Sequence, residues 1–167
     1  MIDKTSPPAA MAVRTEGRYQ HRLQVGVHEL TVDEPTRFGG FDAGPTPYGL
    51  LSAALAACTS MTLHFFAAKR GLGLPPFRVE VRHEKIHAQD CMDCLRGAGS
   101  KIDRFERRIL FDGFVDTATQ AAVIEIANRC PVDVTLRSQA SVETRVAIGI
   151  VAAPPALVDS WTRDRAL

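Results

Sequence analysis

The sequence predicts an α+β fold in which antiparallel sheets pack around two central helices. Strand and helix patterns follow one another in the order β, β, α, β, β, α, β. Residues 76–88 and 103–113 alternate apolar and polar side chains, as strands with one wet face do. The length of 167 residues is enough for one domain with its own core.

Composition and charge exclude several classes of protein. The 20 Lys and Arg residues nearly balance the 19 Asp and Glu residues, so the net charge of +1 does not favour nucleic acid as a partner. No glycine-rich phosphate loop is present. The first residues lack the apolar core of a signal peptide, and four cysteines in a cytoplasmic chain predict thiol or metal chemistry. We expect a flexible leader at residues 1–10, one domain at 11–151 and a C-terminal tail at 152–167.

The N-terminal part is predicted to form two or three short strands that lead to a capped helix. Gly17 and Gly26 stand where hairpin turns would lie. The segment "EPTRFGGFDAGPTP" is a loop rich in Gly and Pro. At its end Thr46 can cap a helix, and Pro47 can take the first helical position, which needs no amide hydrogen.

The first helix raises a question of environment, because residues 48–68 contain no Lys, Arg, Asp or Glu. A membrane span, a buried central helix and a reactive-thiol site are the three interpretations. The closing letters "AAKRG" place two cations in the last turn and a glycine after them, which is typical of a soluble helix. We therefore expect a helix wrapped by protein, not by lipid.

The second half of the chain is predicted to contain a long strand pair, a helix and a last strand. Phe77, Val79 and Val81 share one face of the first strand, and the second strand carries Phe105, Ile109 and Phe111 on one side. The second helix begins at Asp116 and ends near Cys130, because Pro131 disfavours helix in the residue before it. The letters "VDVTLR" fit a short helix or an extended link, and residues 141–151 fit a strand.

Two cysteines stand out by their positions. Cys58 lies among alanines in the charge-free helix, where a small buried hydrophobe is one interpretation. Cys130 lies at a helix end, where free amides can stabilise a thiolate. A pair of this kind fits peroxide reduction, in which one sulfur becomes a sulfenic acid and the second condenses with it. Such distant positions do not themselves establish contact.

The other two cysteines form the motif "HAQDCMDC". Together with His87, Cys91 and Cys94 supply three of the four ligands of a zinc site, and Asp90 or His83 could be the fourth. A metal site, a redox disulfide and no role are the alternatives. We expect no metal and no cofactor in the main activity.

The segments "DEPTRFGGFDAGPTPYGLLSAALAACTSMTL" and "RCPVDVTL" resemble the OsmC/Ohr family of thiol-dependent peroxidases, and the sequence between them resembles its OsmC-like branch. The resemblance covers about residues 13–148. It implies an OsmC-like fold and an intertwined homodimer with two sites at the subunit interface, in which the charge-free helix is the buried centre. Cys58 then matches the peroxidatic cysteine and Cys130 the resolving cysteine. The partners implied are organic hydroperoxides, sometimes hydrogen peroxide, and a dithiol reductant.

The same resemblance implies an arginine beside the thiolate, since a cation favours the charged form. Arg18 matches it best, and Arg37 is the alternative. The family also has a glutamate near the start of the helix, where this chain has Tyr48 and Gly49. We therefore expect weaker peroxidase activity. The alternative function is a metal- or ligand-binding protein that uses "HAQDCMDC" and has little peroxidase activity.

Overall fold

The computed structural model describes residues 10–87, 101–138 and 140–146. It confirms the predicted α+β class. The elements in chain order are β1 (Ala10–Arg14), β2 (His21–Val25), β3 (His28–Val32), a short 3-10 turn (Thr36–Phe38), α1 (Pro47–Arg70), β4 (Phe77–His87), β5 (Lys101–Phe111), α2 (Thr117–Ala127) and α3 (Pro131–Arg137). The predicted tail, the "AQDCMDC" letters and all of the predicted leader except Ala10, which begins β1, lie outside the described residues.

The first three strands form an antiparallel meander in the order β1-β2-β3. Arg14 pairs with His21 across the first turn, and Val25 pairs with His28 across the second. Gly17 has a φ of 56° and Gly26 a φ of 60°, a left-handed conformation that glycine adopts without steric cost. The predicted turns therefore lie at these two glycines.

A loop held by one buried carboxylate connects β3 to α1. The side chain of Asp33, which is 1% exposed, accepts hydrogen bonds from the amides of Glu34 and Phe41, both at 2.8 Å, and of Ala43 at 3.3 Å. Burial acts to raise the pKa of Asp33, but these amides outweigh it and hold the pKa below its ordinary value. A Cβ atom at Gly40 would overlap the carbonyl oxygen of Glu34, so the chain can approach itself here only at a glycine.

Helix α1 begins as predicted. The hydroxyl of Thr46 accepts a hydrogen bond from the amide of Gly49 at 3.0 Å, and Pro47 is the first helical residue. The helix ends at Arg70, and Gly71 follows with a φ of 66°. One stripe of α1 is buried against β4, α2 and α3, and it consists of Leu55, Thr59, Leu63 and Ala67.

The opposite face of α1 is not covered by its own chain. Leu51, Met61 and Phe65 are 42%, 71% and 63% exposed. The expectation of a helix wrapped on all sides is therefore not met within a single chain. The reason is that one two-stranded sheet and two short helices cover a helix of 24 residues from one direction only.

Strands β4 and β5 form a long antiparallel pair, with a register that runs from Phe77 opposite Phe111 to His87 opposite Lys101. The core lies between this pair, α1 and α2. Leu63, Val123 and Ile126 are its buried members, and the side chains packed against them are Phe66, Leu72, Leu74, Phe77, Val79, Ile109 and Phe111.

The last helices differ slightly from the predicted ones. Asp116 caps α2 by accepting a hydrogen bond from the amide of Thr119 at 2.7 Å, as expected, and α2 ends at Ala127, three residues before Cys130. The chain turns over the next residues, and Pro131 begins α3, which resolves the open alternative in favour of a short helix.

The predicted last strand is not found over its described part. Residues 141–146 form neither helix nor strand, and Val142 and Val146 are 86% and 91% exposed. A strand needs a neighbour for its backbone groups, and among the described residues this segment has no strand partner. Residues 147–151 of the prediction lie outside the described part of the chain.

Candidate functional site

The structure brings the two predicted sulfurs together. Cys58 lies on α1, Cys130 lies in the turn between α2 and α3, and the two thiols are close enough for each to shift the pKa of the other. Both are free thiols. Cys58 is half-buried, whereas Cys130 is 0% exposed. A small molecule from solvent can therefore reach Cys58 before it reaches Cys130.

Polar groups around Cys130 lower the pKa of its thiol. Cys130 is the residue before the first turn of α3, where backbone amides have no helical partner. Burial acts to raise the pKa of Cys130. The polar influence of the Cys58 thiol, the amide of Asp133, the hydroxyl of Thr59 and the amide of Val132 outweighs burial, so the pKa of Cys130 lies below its ordinary value.

The other sulfur is shifted in the opposite direction. Burial is the largest cause that raises the pKa of Cys58, followed by the hydrogen bond to Cys130 and the negative charge of that thiolate. The amide of Val132 and the hydroxyl of Thr62 oppose these effects but do not cancel them. Burial and the neighbouring Cys130 thus favour the protonated form of Cys58, whereas the polar groups around Cys130 favour its thiolate.

A buried arginine next to this pair was not found by the sequence analysis. The side chain of Arg107 on β5 is 12% exposed. Its Nη1 donates to Oγ1 of Thr59 at 3.1 Å and to the carbonyl of Ala127 at 3.0 Å, and its Nη2 donates to Oδ1 of Asn128 at 3.1 Å. The alternation that places Phe105 and Ile109 on the inward face also places Arg107 there. A charged residue on the inward face of a strand was the sequence feature that could have revealed this site.

Asp133 is the acidic partner of this arginine. Its side chain is 8% exposed and lies between two cations. Oδ1 is 3.4 Å from Nη1 of Arg107, and Oδ2 accepts from Nε of Arg137 at 2.8 Å. A cavity of about 330 Å³ adjoins this group and is lined by Leu55, Asp103, Phe105, Arg107, Asp133, Leu136 and Arg137. Buried charges are thus paired beside the sulfurs, as burial requires.

The two arginines that the sequence analysis named lie elsewhere. Arg18 is exposed in the turn between β1 and β2, with its guanidinium carbon 5.8 Å from the centroid of the Tyr19 ring. Arg37 lies in the 3-10 turn, 4.8 Å from the centroid of the Phe38 ring. Within the described residues of one chain, neither forms a hydrogen bond or ion pair with the sulfurs.

The position of the expected glutamate is filled by an aromatic contact. The Tyr48 ring stacks on His83 with centroids 4.1 Å apart and planes at 7°. His83 Nε2 is 2.8 Å from Oδ1 of Asp103, and Nζ of Lys85 is 3.0 Å from the same oxygen. His83 is thus engaged with a carboxylate. In the described segments no three metal-ligating side chains cluster, and Cys91 and Cys94 lie outside those segments.

Sequence comparison places the chain in a family. Residues 40–145 match the family described as OsmC-like protein, which is more than half of the chain. The chain belongs to the OsmC-like family. Among curated proteins, none has significant sequence similarity to it.

Solved structures share the OsmC-like fold. An organic hydroperoxide resistance protein OsmC from Legionella pneumophila is 17% identical with a TM-score of 0.60, over 81% of this chain and 92% of that one. An organic hydroperoxide resistance protein from Elizabethkingia anophelis is 20% identical with a TM-score of 0.57, over 82% of this chain and 91% of that one. OhrB of Bacillus subtilis is 17% identical with a TM-score of 0.54, over 77% and 90%. At these identities the likeness shows the fold.

Helix α1 also has the length and apolar composition of a membrane span, and it alone does so among the described residues. The core helix of a soluble protein passes the same test, so the composition does not decide the environment.

Proposed function

We propose that this OsmC-like protein is a thiol-dependent peroxidase that reduces organic hydroperoxides through Cys58 and Cys130. The observation that carries the proposal is that an accessible thiol lies beside a fully buried one, close enough for each to shift the pKa of the other. Such a pair can oxidise at the first sulfur and close a disulfide before further oxidation occurs. The family and the names of its structural relatives support hydroperoxides as the substrate class.

The chemistry starts from one proton shared by two sulfurs. When that proton moves to Cys130, the Cys58 thiolate attacks the distal oxygen of the hydroperoxide, and the O–O bond breaks. The leaving alkoxide takes the proton from Cys130 and becomes the alcohol, while Cys58 becomes a sulfenic acid. The Cys130 thiolate then attacks that sulfur, hydroxide leaves, and a Cys58–Cys130 disulfide forms. An external dithiol supplies the two electrons that restore the thiols by exchange.

The exposed face of α1 supports a homodimer as the working form. Leu51, Met61 and Phe65 give this helix an apolar surface that one chain does not cover. A second copy packed there would complete the burial, close each thiol site at the interface and bring the hairpin bearing Arg18, or the turn bearing Arg37, into reach of a sulfur. Sedimentation velocity tests the dimer, and a monomer at micromolar concentration would contradict it.

Peroxide consumption tests the proposed activity. Reduced protein is mixed with cumene hydroperoxide and a dithiol, and Cys58→Ser is expected to reduce turnover by at least about 100-fold, because no other described thiol is accessible. Cys91→Ser with Cys94→Ser is the matched control and should keep parental turnover. If Cys58→Ser consumes the peroxide as fast as the parent, the proposal fails.

A metal- or ligand-binding role of the "HAQDCMDC" segment is the second candidate function. It is motivated by the additional cysteine pair Cys91 and Cys94 and by Tyr48 and Gly49 at the place where the family has a glutamate. Elemental analysis of protein purified without added metal separates the two functions. A structural zinc site fills on folding, so less than about 0.1 metal per chain would exclude this role. Under either function we place the protein in the cytoplasm.

A further inference from the structure

The contacts of Arg107 join the three segments that surround the sulfur pair. One guanidinium group binds Thr59 on α1, the carbonyl of Ala127 at the end of α2, and Asp133 in the first turn of α3. Thr59 is the residue after Cys58, and Cys130 lies between Ala127 and Asp133. Arg107 therefore holds the segment that carries Cys58 and the segment that carries Cys130. The separation of these two segments sets the distance between the sulfurs.

Two of the groups that lower the pKa of Cys130 belong to residues that Arg107 holds. The Thr59 hydroxyl acts on Cys130, and Nη1 of Arg107 donates to its oxygen at 3.1 Å. Because the arginine occupies a lone pair of that oxygen, the hydroxyl hydrogen stays free to point to the sulfur. The amide of Asp133 also lowers the pKa of Cys130, while Nη1 of Arg107 lies 3.4 Å from the Asp133 carboxylate.

We propose that Arg107 is a positioning residue for the thiol pair, acting on Cys130 through Thr59 and Asp133 without contact to either sulfur. The inference rests on the proposed thiol chemistry and adds to it a cation that comes from β5 and not from the N-terminal hairpin. A guanidinium suits the role because its planar fork serves several acceptors at fixed angles, whereas an ammonium is a single point charge. The ionisable groups that the described residues place at Cys130, or on the residues that act on it, are Cys58 on α1, Arg107 on β5, and Asp133 and Arg137 on α3.

The test is a titration of Cys130 alone. Cys58→Ser, Cys91→Ser and Cys94→Ser leave Cys130 as the remaining cysteine, and the serine hydroxyl at position 58 keeps a donor beside it. The ultraviolet absorbance of the thiolate is followed against pH in this background, with and without Arg107→Lys. The expected result is a midpoint raised by about one pH unit, which is roughly tenfold less thiolate at pH values below both midpoints.

The matched control is Arg108→Lys, the next residue on β5, whose side chain is exposed on the other face of the strand. It should leave the midpoint unchanged. An unchanged midpoint in Arg107→Lys, or an equal shift in the control, overturns the inference, because a purely structural ion pair would give that result.

Thr59→Val tests whether Arg107 acts on Cys130 through the Thr59 hydroxyl. It is also the second test if Arg107→Lys does not fold, which circular dichroism would reveal. It removes the hydroxyl between guanidinium and sulfur at nearly constant volume. Alone it should raise the midpoint, and with Arg107→Lys the combined shift should be smaller than the sum. No shift in Thr59→Val, or strictly additive shifts, overturns the inference. The titration uses no peroxide, so its failure is distinct from a failure of the proposed peroxidase activity.

Discussion

At the scale of single residues, the two sulfurs have unequal environments. Cys130 is enclosed and its pKa is lowered by two amides, a hydroxyl and the other thiol, whereas Cys58 is half-buried and its pKa is raised by burial and by Cys130. The buried sulfur is thus the better-stabilised anion, and the accessible sulfur is the one that a peroxide meets. This division supports a mechanism in which Cys130 receives the proton of Cys58 before it resolves the sulfenic acid.

The inequality predicts the effect of Cys130→Ser on its neighbour. Both the hydrogen bond to Cys130 and the charge of that thiolate raise the pKa of Cys58, so removing the sulfur should lower that pKa. We expect iodoacetamide to alkylate Cys58 about threefold to tenfold faster at neutral pH, measured by mass spectrometry of the Cys58 peptide.

The control for this prediction is Thr62→Ala. The hydroxyl of Thr62 lowers the pKa of Cys58, so its loss should slow alkylation. Slower alkylation of Cys58 in Cys130→Ser would contradict the described coupling of the two thiols.

At the scale of elements, the loop between β3 and α1 sets where the thiol-bearing helix begins. Asp33 binds three amides of this loop, and Asp33 N–H donates to the carbonyl of Pro45 at 3.3 Å. Thr46 follows at once and caps α1. The position of Cys58 therefore depends on a loop that the buried Asp33 carboxylate and the hydrogen bond between Asp33 and Pro45 hold in place.

A methyl group at Gly40 should disturb that loop. Gly40→Ala brings a Cβ atom onto the carbonyl of Glu34, a rigid backbone group, and we expect a loss of about 1–3 kcal/mol in the free energy of unfolding. Urea denaturation measures it. Gly73→Ala is the matched control, since no atom lies within 4 Å of a Cβ built there, and it should be neutral or stabilising. Equal stability of the two variants would contradict the described loop.

At the scale of the whole molecule, charge makes stability depend on pH. Several acidic groups in different elements have a pKa below the ordinary value. The largest cause is a hydrogen bond from the Thr119 amide for Asp116, from Arg78 for Glu80 and from His83 for Asp103. Asp33, held by the loop amides, is the fourth. The charged forms of these four groups therefore stabilise the folded chain.

The sign of the pH dependence follows from these directions. Because each folded-state pKa lies below the unfolded one, the stabilisation is complete above about pH 4 to 4.5 and is lost as the pH falls through the folded values. Urea midpoints at a series of acidic pH values measure this loss. Asp116→Asn keeps a good helix cap but has no titrating group at this position. This variant should therefore lose less stability on acidification than the parent protein. Constant stability on acidification would contradict the shifts.

Local chemistry in the sequence determined the elements of this protein. Thr46 and Pro47 begin α1, two glycines allow the hairpin turns, Asp116 caps α2, and alternation along β4 and β5 marks their inward face. Each of these signals works within a few residues, so it can be read along the chain. The family motifs added the expectation that Cys58 and Cys130 act together.

Only the tertiary structure decided which distant groups meet. The contact between the sulfurs and the contacts of Arg107 with Thr59 and Asp133 depend on how α1, β5 and α3 pack, and no local pattern encodes that. Tertiary structure also decided that one face of α1 is exposed and that residues 141–146 form no strand, because the described chain offers them no strand partner. A side chain's environment is set by the neighbours that packing supplies, whereas its local conformation is set by the residues beside it.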